Sequence, residues 1–280
     1  MSGPPPGGPP GSAPVRPVEH TPPALDRLFR LDGKRALVTG GYGGIGAVTT
    51  RALVEHGAEV AIAGRSPERA EALAQEIDGA GGRAVGLAID LADAASVRQA
   101  VDSAVRELGD LDILVNLAAL DFHAPALEFA EDDWNRVLDV NLSGAFWLSQ
   151  AVGRVMVAAG NGGRIIHFSS TRAYAGGRLG FAAYGSSKAG LNLLVKQLAT
   201  EWGRHGITVN AVAPGFVPTE LVKDTAADQR FIQMMLGRIP MARFGTPEEM
   251  AATVVFLASP GAGFINGQCI YADGGVVASS

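Results

Sequence analysis

The sequence predicts one α/β domain whose parallel sheet is wound with helices on both faces. Two observations predict it. Seven short apolar runs of strand character alternate with longer stretches of helical periodicity between residues 35 and 271. Such alternation builds a mostly parallel, seven-stranded sheet with helices on either side. The runs, such as Ile113-Leu114-Val115, are also apolar without interruption, which suits strands covered on both faces.

In chain order, strands are expected at Arg35–Thr39, Glu59–Ala63, Arg83–Ile89, Asp112–Leu117, Arg164–Phe168, Thr208–Val212 and Gln268–Tyr271. Helices are expected over Ile45–Glu55, Pro67–Asp78, Ala94–Leu108, Glu131–Ala158 and Ala183–Arg204. The first runs through Leu53 and Val54 and stops at His56-Gly57. The fourth has a wide apolar face that includes Ala145, Phe146, Leu148, Ala151 and Val152. The fifth repeats Leu191, Leu194, Val195 and Leu198 at helical spacing. No second domain and no internal repeat is visible.

The first residues differ from the rest. Met1 to Pro23 is dominated by Pro, Gly and Ser and has little to bury, so residues 1–28 are expected to form a disordered tail on a domain spanning 29–280. The tail has neither the apolar core nor the charged start of a signal peptide. The whole chain of 280 residues has 47% apolar and 18% charged residues and a net charge of −5, as in ordinary soluble globular proteins. The acidic balance offers no surface for nucleic acid, and no run reaches the length of a membrane helix. The single cysteine, Cys269, forbids an intramolecular disulfide. No His, Cys and carboxylate cluster suggests a metal. A cytoplasmic location is expected.

Chemistry enters at the end of the first strand. Thr39-Gly40-Gly41-Tyr42-Gly43-Gly44-Ile45-Gly46 joins strand to helix. Glycines let the backbone approach a pyrophosphate, and the helix start supplies amide donors and a positive dipole end. Gly41, Gly43 and Gly46 fit a Gly-x-Gly-x-x-Gly spacing, and Gly40, Gly44 and Gly46 give a second frame, Thr-Gly-x-x-x-Gly-x-Gly. About 140 residues downstream, Tyr184 and Lys188 lie four apart and share one helix face. A phenol beside an ammonium has its anion favoured, which makes a proton donor and acceptor usable near neutral pH.

Together these motifs resemble the short-chain dehydrogenase/reductase family, from about Leu31 to Gly275. The second glycine frame is similar to its cofactor turn, and Tyr-x-x-x-Lys to its catalytic pair. Asn116-Leu117-Ala118-Ala119 stands where the family has Asn-Asn-Ala-Gly. Asn141 and Ser170 fall at the catalytic asparagine and serine positions. Pro214-Gly215-Phe216-Val217-Pro218-Thr219 resembles the segment beside the nicotinamide. Arg243-Phe244-Gly245-Thr246-Pro247-Glu248-Glu249 and Asp273-Gly274-Gly275 resemble the C-terminal signature. The resemblance implies a Rossmann-type fold. It implies hydride transfer between nicotinamide and a carbonyl or secondary alcohol, with Tyr184 as proton donor and acceptor. Lys188 would lower the tyrosine pKa and hold the nicotinamide ribose. Ser170 would bond the substrate oxygen, and Asn141 would position a water beside Lys188. Cofactor contacts are expected from Gly40, Tyr42, Gly44, Ile45, Gly46, Arg65, Ser66, Asp90, Leu91, Asn116, Ala118, Tyr184, Lys188, Pro214, Gly215, Val217 and Thr219, with Asp90 beside the adenine. Related proteins are usually tetramers that pair the helices here at 131–158 and 183–204, so a homo-oligomer is expected, as dimer or tetramer.

The end of the second strand, Ala61-Ile62-Ala63-Gly64-Arg65-Ser66, bears on cofactor choice. The acidic residue that bonds a ribose 2′-hydroxyl is replaced by Gly64, with Arg65 next. A guanidinium can fork onto a 2′-phosphate, and Ser66 can add a hydroxyl donor, so NADPH is expected over NADH. The second basic residue that some NADP-dependent relatives carry inside the glycine turn is absent, since Gly43 stands there.

Two departures from the family pattern stand out. Ser170 precedes Tyr184 by fourteen residues rather than thirteen, and Thr171 sits at thirteen. The strand frame Ile165-Ile166-His167-Phe168-Ser169-Ser170 favours Ser170, and Thr171 stays open as an alternative. Leu117 and Ala119 replace an Asn and a Gly beside the cofactor. A substrate lid is expected over about 216–244, with Phe231, Met234, Met235 and Leu236 able to cover an apolar substrate or simply to pack the lid itself. Arg172, Tyr174 and Arg178 in the loop after Ser170 can bind a carboxylate or phosphate, or form an exposed polar loop. The expected function is an NADPH-preferring oxidoreductase of a small carbonyl or alcohol, nearest to 3-oxoacyl-thioester reductases and gluconate-type dehydrogenases. The alternative of another class is an idle dinucleotide-binding sensor on the same fold.

Overall fold

Each strand but the first is reached by a crossover from its predecessor, and the chain's order along the sheet follows from where those crossovers turn. In a computed structural model, which describes residues 24–177, 180–218 and 229–279, the strands are β1 (Arg35–Thr39), β2 (Glu59–Gly64), β3 (Ala84–Ala88), β4 (Ile113–Asn116), β5 (Gly163–Phe168), β6 (Ile207–Pro214) and β7 (Cys269–Ala272). They lie in the order β3-β2-β1-β4-β5-β6-β7, and every neighbouring pair is parallel. The winding reverses between β1 and β4. There the crossovers that leave β1 and β4 run in opposite directions and open a crevice at the carboxyl ends of the strands. The sheet is therefore seven-stranded, as expected, and wholly rather than mostly parallel. The expected N-terminal tail falls outside the described residues as far as residue 23, as do Thr219 and Arg178.

The helices are α1 (Gly44–Glu55), α2 (Pro67–Gly79), α3 (Ala94–Leu108), α4 (Glu131–Leu138), α5 (Gly144–Ala159), α6 (Ala182–Trp202), α7 (Gln229–Leu236) and α8 (Pro247–Ala258). Two hydrophobic layers sandwich the sheet. Ala36 and Val38 of β1 point with Leu53, Ala70, Val254 and Leu257 into the layer under α1, α2 and α8. Leu37, between them, points the other way, with Val97, Leu148, Met156 and Val195 under α3, α5 and α6. This alternation along one strand explains the uninterrupted apolar runs, because both faces of each strand are core.

Two helices depart from expectation. Glu131–Ala158, expected as one regular helix, is helical throughout but passes through a π-helical turn at Asp139–Ser143. There Gly144 comes so close to the Leu91 carbonyl that a Cβ would collide with it. Helix α8 was not expected. Its signal lay in the sequence. Thr246 caps the helix through the Glu249 amide at 3.3 Å, Glu249 returns a carboxylate oxygen to the Thr246 amide at 2.9 Å, and Pro247 takes the first turn.

Candidate active site

The glycine turn leaves β1 next to β4, and its shape needs two of its glycines. Gly40 has φ +69° and backs onto the Ala118 amide, where a Cβ would stand 2.9 Å away. A Cβ on Gly46 would strike the Gly40 carbonyl oxygen. Helix α1 starts at Gly44 with no side chain capping it and no acidic residue in its first turn. In contrast α2, α3 and α8 are capped by Ser66, Asp93 and Thr246. The first amides of α1, including Ile45, thus keep their donors and dipole for an anion outside the protein.

Tyr42 ties this turn to the end of β2. Its ring covers Gly64, where a Cβ would overlap it, and its hydroxyl accepts from the Ser66 amide at 2.9 Å. Arg69, in the first turn of α2, stacks its guanidinium 4.7 Å from the Tyr42 ring centroid. Arg65 is exposed beside it. The Ser66 hydroxyl donates to Glu68 at 2.8 Å and accepts from the Arg69 amide. Its proton is therefore already placed, against the expectation that Ser66 would be a free donor. Sequence reasoning missed Arg69. The signal was its place in the first turn of the helix that follows Arg65.

Beyond β3, Asp90 is exposed and turns its carboxylate back on the Ala92 amide at 3.0 Å, while Leu91 is buried. At the end of β4, Asn116 enters a buried chain of hydrogen bonds. Thr39 Oγ1 donates to Asn116 Oδ1 at 2.7 Å, and Asn116 Nδ2 donates to His167 Nδ1 at 3.2 Å. His167 Nε2 then meets Ser149 Oγ at 2.9 Å, and Ser149 donates to the Ala145 carbonyl at 2.7 Å. With Ser149's proton on Ala145, His167 must donate from Nε2, which fixes its neutral tautomer. Full burial, and the charge of Lys188, hold His167 down at about 3.

The candidate catalytic groups meet where β5 ends against α6. Ser170 Oγ accepts from the Arg172 amide at 3.1 Å, and the Ser170 hydroxyl lies near enough to the Tyr184 phenol to favour its anion. Thr171 makes no such link among the described residues. Lys188 is 2% exposed. Its ammonium donates to the Phe168 carbonyl at 2.7 Å and lies 5.7 Å from the Tyr184 ring centroid. Asn141, in the π turn, receives the Leu120 amide at 2.8 Å, donates to the Leu120 carbonyl at 2.9 Å and donates to Ser187 at 3.1 Å. Ser187 donates onward to the Tyr184 carbonyl. Asn141 thereby joins the loop after β4 to the helix that carries Tyr184 and Lys188.

The electrostatics differ from the simple picture of an ammonium lowering a phenol. Burial, with help from Asp121, pushes Tyr184 up to about 12 against the opposing pull of Ser170 and Arg172. Burial pulls Lys188 down to about 8. The Lys188 ammonium is spent on a backbone carbonyl, and Asp121 and Arg172 are the charges that the phenol feels.

Pro214 closes β6, and Gly215 donates its amide to Ala272 at 3.1 Å. Val217 packs partly buried against the core. The expected lid is pinned at its base, with the Gly245 amide on the Phe216 carbonyl at 3.1 Å and the Phe216 and Phe244 rings 4.7 Å apart. Within it α7 carries Met234, Met235 and Leu236; residues 219–228 and the Phe231 side chain lie outside the described residues. His123 is exposed, bonded to Asp121 at 2.6 Å and against the Phe181 ring at 4.2 Å. Among the described residues, no three His, Cys, Asp or Glu side chains converge on a metal position, and no helix is long and apolar enough to cross a membrane.

Known proteins share this arrangement. Residues 40–277 match the family model described as enoyl-(acyl carrier protein) reductase. The chain is 44% identical to D-threitol dehydrogenase of Mycolicibacterium smegmatis over 252 residues, covering 90% of this chain and 96% of that one. It is 36% identical to gluconate 5-dehydrogenase of Gluconobacter oxydans, covering 90% of this chain and 98% of that one. Its fold superposes with a TM-score of 0.86 on a gluconate 5-dehydrogenase from Burkholderia cenocepacia solved in complex with NADP and tartrate, at 38% identity, covering 91% and 99% of the two chains. A glycine turn feeding an uncapped helix, a tyrosine and lysine four apart on α6, and likeness along nine-tenths of the chain make one conclusion: this protein belongs to the short-chain dehydrogenase/reductase family.

Proposed function

We propose that the protein is an NADPH-preferring oxidoreductase that interconverts a secondary alcohol and a carbonyl on a small polyhydroxylated substrate. The observation that carries this reading is the convergence of Ser170, Tyr184 and Lys188 at the carboxyl edge of the sheet that also carries the uncapped start of α1. A nicotinamide cofactor, when bound, supplies or accepts the hydride. Gly40, Gly44, Ile45 and Gly46 would hold its pyrophosphate, and Arg65 with Arg69 would hold its 2′-phosphate. Asp90, Leu91, Asn116 and Ala118 would serve its adenosine and ribose, and Pro214, Gly215 and Val217, with Thr219 expected from the sequence, its carboxamide. NADP in the solved gluconate 5-dehydrogenase agrees with this preference.

Tyr184 gives its proton to the forming alkoxide, or takes one from the alcohol. Its raised value keeps the proton on the phenol in the direction of reduction. Ser170 donates to the substrate oxygen, where charge grows in the transition state. Lys188, pulled toward neutrality by burial, exchanges protons with Tyr184's side of the pocket, and Asn141 orders the Leu120 backbone and α6 around that path.

We also propose a homo-oligomer in the cytoplasm. Trp147 on α5 and Leu193 on α6 are 40% and 58% exposed, a cost that a second copy would remove.

Nicotinamide absorbance in a substrate screen tests the function. Polyols, sugar acids and 3-oxoacyl thioesters are offered with NADPH or NADP⁺ and with NADH or NAD⁺. Turnover of a polyol or sugar acid, faster with the phosphorylated cofactor, is expected. Tight cofactor binding without turnover of any of these would count against the enzyme and for the sensor.

A further inference from the structure

Resting on the oxidoreductase reading, we infer that Arg172 and Arg238 form an anion subsite that binds the carboxylate of a hydroxy-acid or keto-acid substrate. Arg172 follows Ser170 by two residues, and its amide holds the Ser170 hydroxyl at 3.1 Å. Its guanidinium lies 4.4 Å from the Phe181 ring centroid, and Phe181 in turn sits 6.4 Å from the Tyr184 ring. Arg238 comes from the loop after α7. The two arginines line one cavity of about 420 Å³, together with Thr171, Gly215, Phe216 and Met235. A substrate whose reacting carbon meets Ser170 and Tyr184 would extend its far end into this space.

Among the described residues, the charges there are unbalanced. Arg30, Arg35, Arg51, Arg83 and Arg243 each pair with a carboxylate. Neither Arg172 nor Arg238 has an ion pair among the described residues. Burial, with the nearby charge of Arg238, lowers the Arg172 value. Asp121 is the acidic group that reaches Arg172, and it is bonded to His123. The Arg172 guanidinium, held against Phe181, lies where this cavity meets the neighbouring one lined by Gly177 and Phe181. Two like charges there repel, and a ligand carboxylate between them turns that repulsion into two charge-assisted contacts. Net charge of −5 disfavours an acidic carrier protein as the source of the anion. The relatives include enzymes named for a neutral polyol and for a sugar acid, and the arginine pair selects the acid.

The test compares gluconate with its uncharged polyol, glucitol. Steady-state kinetics are measured on wild type, Arg172→Gln and Arg238→Gln, and each ligand is titrated calorimetrically into the enzyme with NADP⁺ present. Wild type should prefer the acid. Each variant should lower kcat/KM for the acid about tenfold to a hundredfold, chiefly through KM, and the acid-to-polyol ratio should collapse. Equal treatment of acid and polyol by wild type, or parallel losses on both in the variants, would overturn the subsite and leave the oxidoreductase intact. Acid binding that needs both arginines, without turnover, would uphold the subsite and sink the proposed reaction. Arginine-dependent turnover confined to 3-oxoacyl thioesters would reassign the anion to a carrier phosphate and overturn the carboxylate.

Discussion

The Lys188 ammonium donates to the Phe168 carbonyl oxygen at 2.7 Å, which anchors α6 onto the end of β5. The bond sets the height of the helix over the sheet. It therefore fixes where the Tyr184 phenol meets Ser170, which stands two residues past Phe168 in the chain. The lysine acts on this site through position at least as much as through charge, because burial has already drawn it down to about 8.

Ser170, rather than Thr171, should be the hydroxyl that matters. The Ser170 hydroxyl acts on the Tyr184 phenol, favouring its anion, while Thr171 lines the neighbouring cavity. Ser170→Ala should lower kcat by about a hundredfold or more, as loss of a transition-state donor does, and Thr171→Ala should stay within about threefold. Tyr184→Phe should cost about a thousandfold with cofactor affinity retained. Single-turnover kinetics with a common substrate rank the three, and a larger loss at Thr171 would reverse the assignment.

Stability should respond to pH on both flanks. His167 is at about 3 in the folded protein against 6.5 in the unfolded chain. Between these values the unfolded chain holds more protons, so stability falls as the pH drops through that window. Lys188 is at about 8 against 10.5, so again the unfolded chain holds more protons in between, and stability rises as the pH climbs from 8 toward 10.5. Thermal melts across pH should show a shallower acid limb for His167→Gln and no alkaline gain for Lys188→Met, each relative to wild type. Parallel limbs would mean that these groups titrate alike in both states.

Arg69 should share the cofactor preference with Arg65. Each guanidinium is free of ion pairs among the described residues, and Arg69 is steadied by the Tyr42 ring. Arg65→Gln and Arg69→Gln should each weaken binding of 2′,5′-ADP by about tenfold and leave ADP almost unchanged. Fluorescence or calorimetric titration reads this without turnover. An Arg69 variant that binds both ligands as wild type does would confine the phosphate to Arg65.

Much of this was legible in the sequence, for physical reasons. Strands covered on both faces must be apolar throughout, so Ile113-Leu114-Val115 announced a central strand before any contact was known. The glycine turn showed itself because Gly40 and Gly46 stand where side chains collide. What escaped was set by distance through space. Arg238 reaches the Arg172 cavity from sixty-six residues away, and nothing in its neighbours reveals the encounter. The Thr39–Asn116–His167–Ser149 chain crosses three strands and a helix, and only the packed sheet shows it. Helix α8 was different, since Thr246-Pro247-Glu248-Glu249 spelled its start. Family likeness drew attention to the motif and away from its capping chemistry. The expected influence of Lys188 on the phenol came from spacing alone, which cannot reveal a carbonyl that claims the charge.

The π turn at Asp139–Ser143 has a consequence for how this chain can change length. A single residue lost from a helix rotates everything beyond it by about 100°. Asn141 sits inside the turn, and downstream Leu148, Val152 and Met156 are all fully buried. Upstream and downstream faces are thus phased by this one wide turn. Gene variants that trim or extend the loop between β4 and α4 leave that phase alone. The wide turn holds one residue more than an α turn. A one-codon deletion between 139 and 143 would therefore close it to a regular α turn, leave Leu148 in the core and draw Asn141 off Leu120. Indels in that short window should cost the Asn141 contacts rather than the packing of the helix.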